Sequence, residues 1–348
     1  MNIGILKEIQ NGEKRIALLP EAAGALVAAG ASVTMEKGAG LGAGVADTAF
    51  VRAGVEVRPS AAAVLRTADL VIKVKGPTPA EFDGFAPGKA LFCFLVARNR
   101  PELVDFLLRR RMTALAFEAV QTDDGRFPLL EPMSTIAGRR AVSIGRELLG
   151  RIDLRRIVVL GGGTAGTAAA REAAARGAVV VDLFEIDTNR LQRLRTLLPP
   201  EVALHPVPSP RLADIVIAAD LVIDTATVPA HSRVHLIDRA TVGRMQPGRV
   251  IVDVSATVGG AVETIHRLTS HDDPVFTVGG ILHYAVPNIP GLAAADASRA
   301  LSQALLPYVR TLATEGIPKA LERCADLRRA LVCKDGALMD RSVSGPRQ

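Results

Sequence analysis

Short apolar runs of strand length alternate with stretches of helical spacing over most of this chain. In the first third the runs are Ile3-Gly4-Ile5-Leu6, Ser32 to Met35, Leu70 to Val74, Ala90 to Leu95 and Ala114 to Val120, with helical patterns from Pro20 to Ala29 and from Pro101. Strands separated by helices indicate β-α-β units and a parallel sheet. A second series begins at Arg156 and continues through Leu221-Val222-Ile223-Asp224, Val250 to Val254 and Val275 to Val278. Between the two series, Ser134 to Leu154 carries apolar residues at Ile136, Ala137, Ile144 and Leu148, the spacing of a helical linker. Ala294 to Ala313 shows helical spacing again at Ala297, Leu301, Leu305 and Val309, and is expected to return to the first domain. The expected fold class is α/β, with two doubly wound parallel-sheet domains.

The start of the second series carries the most specific chemistry. Ile157 to Leu160 runs into Gly161-Gly162-Gly163-Thr164-Ala165-Gly166, followed by an alanine-rich helix from Thr167 to Gly177 and a strand from Val179 to Glu185. In such a G-x-G-x-x-G turn the first glycine permits the tight bend, the second lets backbone approach a pyrophosphate, and the third lets helix and strand pack closely. The helix N-terminus offers free N–H groups to the phosphates. Glu185 ends the second strand 19 residues after Gly166, placed to accept hydrogen bonds from an adenosine ribose and to repel a 2′-phosphate, so NAD is expected rather than NADP. The competing reading is a glycine turn in a nucleotide-free α/β domain.

Bulk properties narrow the class. A chain of 348 residues has room for two ordinary domains. Its longest apolar runs are too short to span a bilayer and its N-terminus lacks a signal pattern, so a soluble, cytoplasmic protein without a membrane partner is expected. Cys93, Cys324 and Cys333 are odd in number and form no C-x-x-C pair, which argues against a disulfide framework and a zinc site. A net charge of +6 raises nucleic acid as a partner, but the arginines are scattered, and no Trp and two Tyr leave few stacking platforms. Arg109-Arg110-Arg111 reads as the solvated C-terminus of the helix from Pro101.

Gly4-Ile5-Leu6-Lys7-Glu8 and Arg15-Ile16-Ala17-Leu18-Leu19-Pro20 resemble the N-terminus of the alanine dehydrogenase and proton-pumping transhydrogenase family. Lys73-Val74-Lys75-Gly76-Pro77, Phe117-Glu118-Ala119-Val120-Gln121, Pro132-Met133-Ser134, the glycine turn, Val252-Asp253-Val254 and His283 to Pro290 follow in the same order over nearly the whole chain. The resemblance implies a substrate domain built from both chain ends, 1–133 plus 293–348, with a Rossmann-type NAD domain, 134–292, inserted between them and an active site in the cleft. It implies that Arg15 and Lys75 hold a substrate's carboxylate and carbonyl, and that Ser134, Ala226 and Asn288 lie near the cofactor. A guanidinium can grip a carboxylate through two hydrogen bonds, and an ammonium can donate toward developing charge. Arg190, one helical turn beyond Glu185, is a further candidate beside the adenosine. Otherwise Arg15 is a surface-loop cation and Lys75 a strand-end ion pair.

Two residues that the resemblance calls for are absent. The family's acid/base histidine falls at Val96, and the first 204 residues hold no histidine at all; the six are His205, His231, His235, His266, His271 and His283. The family's aspartate before a Gly-Gly pair falls at Thr257, which cannot act as a carboxylate base. Oxidative deamination needs a general base, whereas reduction of an imine or carbonyl needs one proton, which Lys75 can give if desolvation lowers its pKa. The expected activity is therefore NAD(H)-dependent oxidoreduction of a small amino acid, 2-oxo acid or imine, in the reductive direction and not plain alanine deamination, by a homo-oligomer. A catalytically quiet NAD(H)-binding sensor or docking protein is the alternative, and a soluble transhydrogenase subunit a third. His283 and Tyr284 are read as packed residues before proton donors, and Arg98 as an extra anion contact.

Overall fold

The computed structural model describes residues 1–150, 154–228 and 234–340, so His231 and the end of the 134–154 linker lie outside the described residues. The chain forms two compact units, Met1–Met133 with Gly291–Gln348, and Ser134–Pro290.

The first unit is built on β1 (Asn2–Ile5), β2 (Ser32–Glu36), β3 (Glu56–Arg58), β4 (Leu70–Lys75), β5 (Ala90–Phe94) and β6 (Thr113–Ala116). They pair in the order β6-β5-β4-β1-β2-β3, all parallel. Leu331–Lys334 then adds antiparallel to β6, and Ala337–Leu338 folds back on it. Leu70 to Val74 are buried throughout, as a central parallel strand covered on both faces must be. The helix Ala294–Glu315 buries Ala297, Leu301, Leu305, Val309 and Leu312. Two hydroxyls on that face anchor the loop after β1: Ser298 accepts from the Ile16 N–H at 2.9 Å and Ser302 from the Leu19 N–H at 2.8 Å. The helix thereby fixes the segment that carries Arg15.

The second unit contains β7 (Arg156–Leu160), β8 (Val180–Glu185), β9 (Val202–Pro206), β10 (Leu221–Asp224), β11 (Val250–Asp253), β12 (Val275–Val278) and β13 (Ile281–Tyr284). The parallel strands run β9-β8-β7-β10-β11-β13, the 3-2-1-4-5-6 order of a doubly wound dinucleotide fold, with its switch point between β7 and β10. The period of two divides β7 between two cores: Ile157 and Val159 join one, Val158 and Leu160 the other. Val275 to Val278, expected within the parallel series, is instead the antiparallel edge strand. The reason is Gly279-Gly280, both at positive φ (58° and 80°), a two-residue hairpin turn that sends the chain back as β13. The sixth parallel strand is thus the one bearing His283 and Tyr284. The helix after the glycine turn starts at Thr164, three residues earlier than its apolar pattern suggests. No helix among the described residues is long and apolar enough to cross a membrane.

Candidate functional site

Two groups of chemistry-bearing residues stand out, one in each unit. In the second, Gly161 leaves β7 at φ 86°, and a Cβ there would lie 3.0 Å from the Ala226 backbone across the switch point. The Thr225 hydroxyl locks this approach by donating to the carbonyls of Leu160 (2.8 Å) and Gly161 (2.9 Å). A Cβ on Gly166 would sit 1.8 Å from the Gly161 carbonyl oxygen, so that position admits only glycine. Gly163 differs: a Cβ there would meet nothing within 4 Å. Its open side faces the start of the helix Thr164–Ala175, where none of the described residues accepts from the N–H groups of Gly163, Thr164 or Ala165. Free N–H groups at a helix N-terminus form an anion site.

Glu185, 3% exposed, holds the rim of this turn. Its Oε2 accepts from the Gly162 N–H at 2.7 Å, its Oε1 from the Asp187 N–H at 2.8 Å, and Arg190 pairs with it at 3.2 Å. A cavity of about 400 Å³ opens here, lined among others by Thr135, Gly163, Thr164, Arg171, Arg190 and Arg193. An unfilled N–H cradle, an open glycine face and three arginines around one cavity fit a dinucleotide's phosphates, with Glu185 at the ribose end. Gly161, Gly163, Thr164, Ala165, Gly166, Ala226, Glu185 and Arg190 all gather at the turn. Ser134 and Asn288 do not line the cavity; Thr135, the neighbour of Ser134, does. Thr135, Arg171 and Arg193 were missed by sequence reasoning. Of these, Arg193 had a signal, its i+3 spacing from Arg190 on the helix Thr188–Leu197.

Behind the turn lies an unexpected pair. Asp224 and Asp253 are register partners at the carboxyl ends of β10 and β11, both buried, with no ion pair to either among the described residues. Burial raises both pKa values, and the Asp253 charge raises Asp224 further. Two buried carboxylates so placed disfavour each other's ionisation, so Asp224 holds its proton well above the ordinary carboxylate range. Asp253 accepts from the N–H groups of Ala256 (2.8 Å) and Thr257 (3.1 Å), which sets the loop where Thr257 stands. His283 is packed: Thr264 Oγ1 lies 2.8 Å from Nε2 and the Ile281 carbonyl 2.9 Å from Nδ1, and burial lowers its pKa. Tyr284 is buried too, and its pKa is pushed up by burial to about 12.

In the first unit, the carboxyl ends of β4, β5 and β6 meet the loop after β1. Arg15 is 3% exposed and clasps Glu13 through Nε (2.8 Å) and Nη2 (2.5 Å), with Nη1 3.2 Å from Met133 Sδ. Burial works against the Glu13 charge, but the Arg15 hydrogen bonds and charge overcome it and hold the carboxyl below its usual pKa. Lys73 is buried between Glu81 and Glu8. Glu8 in turn accepts from the Val74 N–H at 2.6 Å, and burial raises its pKa to about 7.

Lys75 ends β4 half-buried, and its ammonium makes no hydrogen bond or ion pair to the described residues. Burial, then the Arg15 charge, lowers its pKa, with Glu13, Glu8 and Glu118 acting the other way. Glu118, in the turn after β6, accepts from the Val96 N–H at 2.6 Å and the Leu95 N–H at 3.2 Å, and burial raises its pKa. Val96 is 45% exposed and sits in the left-handed region at φ 47°, ψ 45°, strained backbone for a β-branched residue. Arg98 is exposed on the following turn. Glu13, Glu118 and the Asp224–Asp253 pair were not singled out as site residues, since nothing local in the sequence marks their burial.

The family model described as "Alanine dehydrogenase/PNT, N-terminal domain" matches residues 4–137, and "Alanine dehydrogenase/PNT, C-terminal domain" matches residues 141–341. A curated alanine dehydrogenase from Methanococcus maripaludis is 37% identical, covering 99% of this chain and 96% of its own. A solved L-alanine dehydrogenase structure superposes with a TM-score of 0.93 at 39% identity, over 99% of this chain and 98% of that one. A transhydrogenase from Sinorhizobium meliloti shares the fold at a TM-score of 0.83 and 24% identity, over 98% and 100% of the two chains.

Proposed function

The chain belongs to the alanine dehydrogenase/PNT family and is an NAD-dependent oxidoreductase of the amino acid dehydrogenase type, and from that premise we propose that it reduces a small 2-oxo acid or imine, with ammonia or an amine, to the 2-amino acid. NADH, when bound, supplies the hydride. Gly161, Gly163, Thr164, Ala165 and Gly166 hold its pyrophosphate, and Glu185 and Arg190 its adenosine end, with Ser134, Ala226 and Asn288 nearby. Residues 1–133 with 293–348 serve the substrate and 134–292 the cofactor. Arg15, kept in one orientation by Glu13, binds the substrate's carboxylate, and Lys75 donates a proton to the carbonyl oxygen or imine nitrogen.

The observation that carries this reading is Lys75: a half-buried ammonium, lowered in pKa, without a hydrogen-bond or ion-pair partner among the described residues and in the field of Arg15. A protonated amine of lowered pKa gives up its proton more readily than an ordinary lysine, which reduction requires. The position after β5 is an apolar Val96, so no imidazole stands there to take a proton from an amino acid substrate. Self-association and a cytoplasmic location belong to the same reading, and sedimentation and cell fractionation test them. The main experiment measures NADH oxidation across 2-oxo acids paired with ammonia or primary amines. Turnover of one such pair is the expected result. L-alanine oxidation at a comparable rate overturns the reductive assignment, and NADH binding without turnover of any pair leaves the quiet binder.

A further inference from the structure

Around Lys75 most charges have a counterpart in place. Arg15 is clasped to Glu13 and Lys73 to Glu81 and Glu8, so these groups are held ionised or committed. Lys75 and Glu118 differ, because neither forms an ion pair among the described residues, and each lies in the field of the other. Topology brings them together. β4, β5 and β6 are parallel neighbours, with Lys75 opposite Phe94 and Cys93 opposite Ala116. Lys75, the Leu95-Val96 corner and Glu118 are therefore the carboxyl ends of three adjacent strands, the end of a parallel sheet at which ligands bind. Glu118 reaches across to the Leu95 and Val96 N–H groups, which fixes its carboxyl at that corner.

We propose that Glu118 is the proton store for Lys75. In the reductive direction a hydride adds to C2 of the imine while a proton passes from Lys75 Nζ to the imine nitrogen, breaking one N–H bond and forming another. Lys75 is left as the neutral amine. The Glu118 carboxylic acid then gives its proton to Nζ, restoring the ammonium and leaving a carboxylate, which solvent reprotonates beside the exposed Val96. In the oxidative direction the same proton runs from substrate to Lys75 to Glu118. Of the other two acids near Lys75, Glu13 is held ionised by Arg15, and Glu8, whose pKa burial also raises, faces Lys73 with its side chain only 4% exposed, cut off from the solvent that must refill the store. The groups that act on the pair are Arg15, Glu13 and Glu8 on Lys75, and the N–H groups of Leu95 and Val96 on Glu118. Burial raises the Glu118 pKa above the usual carboxylate range, so it holds a proton to higher pH than an exposed glutamate does.

The role rests on the proposed reaction, and its test separates the two. The rate at which an amine-directed reagent modifies Lys75, followed by peptide mass spectrometry against pH on the full chain, needs neither cofactor nor substrate. In the natural protein the curve is expected to bend twice, once for each group. In Glu118→Gln it bends once, with its midpoint lower by about one pH unit because the nearby anion is gone. Glu118→Asp restores the second bend, and it stands in if the glutamine variant fails to fold. With the reaction's substrate, Glu118→Gln lowers kcat by roughly tenfold to a hundredfold at unchanged KM. Identical modification curves overturn the coupling, and a shifted curve with unchanged kcat overturns the store. Failure of the natural chain to turn over any substrate counts against the reaction alone, since the modification curve still reads the pair.

Discussion

The dinucleotide turn and the Lys75 pocket reach order by opposite means. At the turn the geometry comes from absent atoms: Gly161 and Gly166 let backbone approach backbone, and Gly163 leaves an opening. Around Lys75 it comes from charges: apart from Lys75 itself, the buried groups are held by a neighbour of opposite sign or by backbone N–H groups. The turn should therefore fail through sterics and the pocket through uncompensated charge. The strongest test of the second half is Arg15→Met, which leaves Glu13 buried without its cation and is expected to cost about 3–5 kcal/mol. Lys75→Met removes an ammonium that has no partner, so stability holds or rises while turnover falls by roughly a hundredfold or more. Since burial lowers the Lys75 pKa, the natural protein gains stability as pH rises through the folded value, and the Met variant lacks that gain. Equal unfolding free energies for the two variants in denaturant melts would break the contrast.

Within the turn, Gly166→Ala and Gly163→Ala differ by one methyl group each and should behave differently. The first places Cβ 1.8 Å from a carbonyl oxygen and forces the backbone apart, at a cost of about 3 kcal/mol and with loss of NADH binding. The second meets nothing in the protein. Its melting point should be unchanged, while NADH affinity measured by fluorescence drops roughly tenfold, since the methyl group occupies the approach of the pyrophosphate. Unchanged affinity in Gly163→Ala would show that the open face is not where phosphate comes.

This division also explains what could be read in advance. Gly161, Gly163 and Gly166 were legible because a tight turn, an open face and a close helix leave glycines at fixed spacing within one short segment. Lys75 was legible through the family resemblance, since a cation at the end of an apolar run reads by itself as a strand-end ion pair. Asp224 and Asp253, 29 positions apart, become a pair only through the register of β10 on β11. Glu118 reaches Val96 across 22 positions because β5 and β6 are neighbours. The hairpin of β12 and β13 was hidden for another reason: its strands are short and apolar like the parallel ones, and only Gly279-Gly280 distinguishes it. Burial of charge is a property of register and topology, so the pocket was the harder half to read.

The carboxyl pair places charge chemistry behind the steric turn, and so sharpens the comparison. In the unfolded chain Asp224 ionises in the ordinary carboxylate range, but in the folded protein it stays protonated to much higher pH. A folded pKa raised in this way contributes stability below the unfolded value and loses it as pH rises, by about 1.4 kcal/mol for each pH unit until the folded value is reached. Asp224→Asn removes the titration and keeps the shape. It should raise the melting temperature by several degrees at pH 7 to 8, with the gain fading toward pH 4. A gain that is flat with pH would mean that the pair is not what stores the proton.

The smallest effect is at Val96, where the two means of order meet. Its backbone is left-handed, at φ 47° and ψ 45°, although valine carries a β-branched side chain, and its N–H is held by Glu118 at 2.6 Å. Left-handed backbone costs an ordinary L-residue roughly 1–2 kcal/mol, and more where Cβ is branched. Asparagine tolerates the region, so Val96→Asn should recover about 1 kcal/mol while leaving the Glu118 hydrogen bond in place. Val96→Ala, still an L-residue with a Cβ, should recover less. Because the side chain is 45% exposed, little buried apolar area is lost in either change, so the melting shift reads backbone strain more than packing. If Val96→Asn melts no higher than Val96→Ala, Glu118 is not holding the corner against strain, and its carboxyl is free to move away from Lys75.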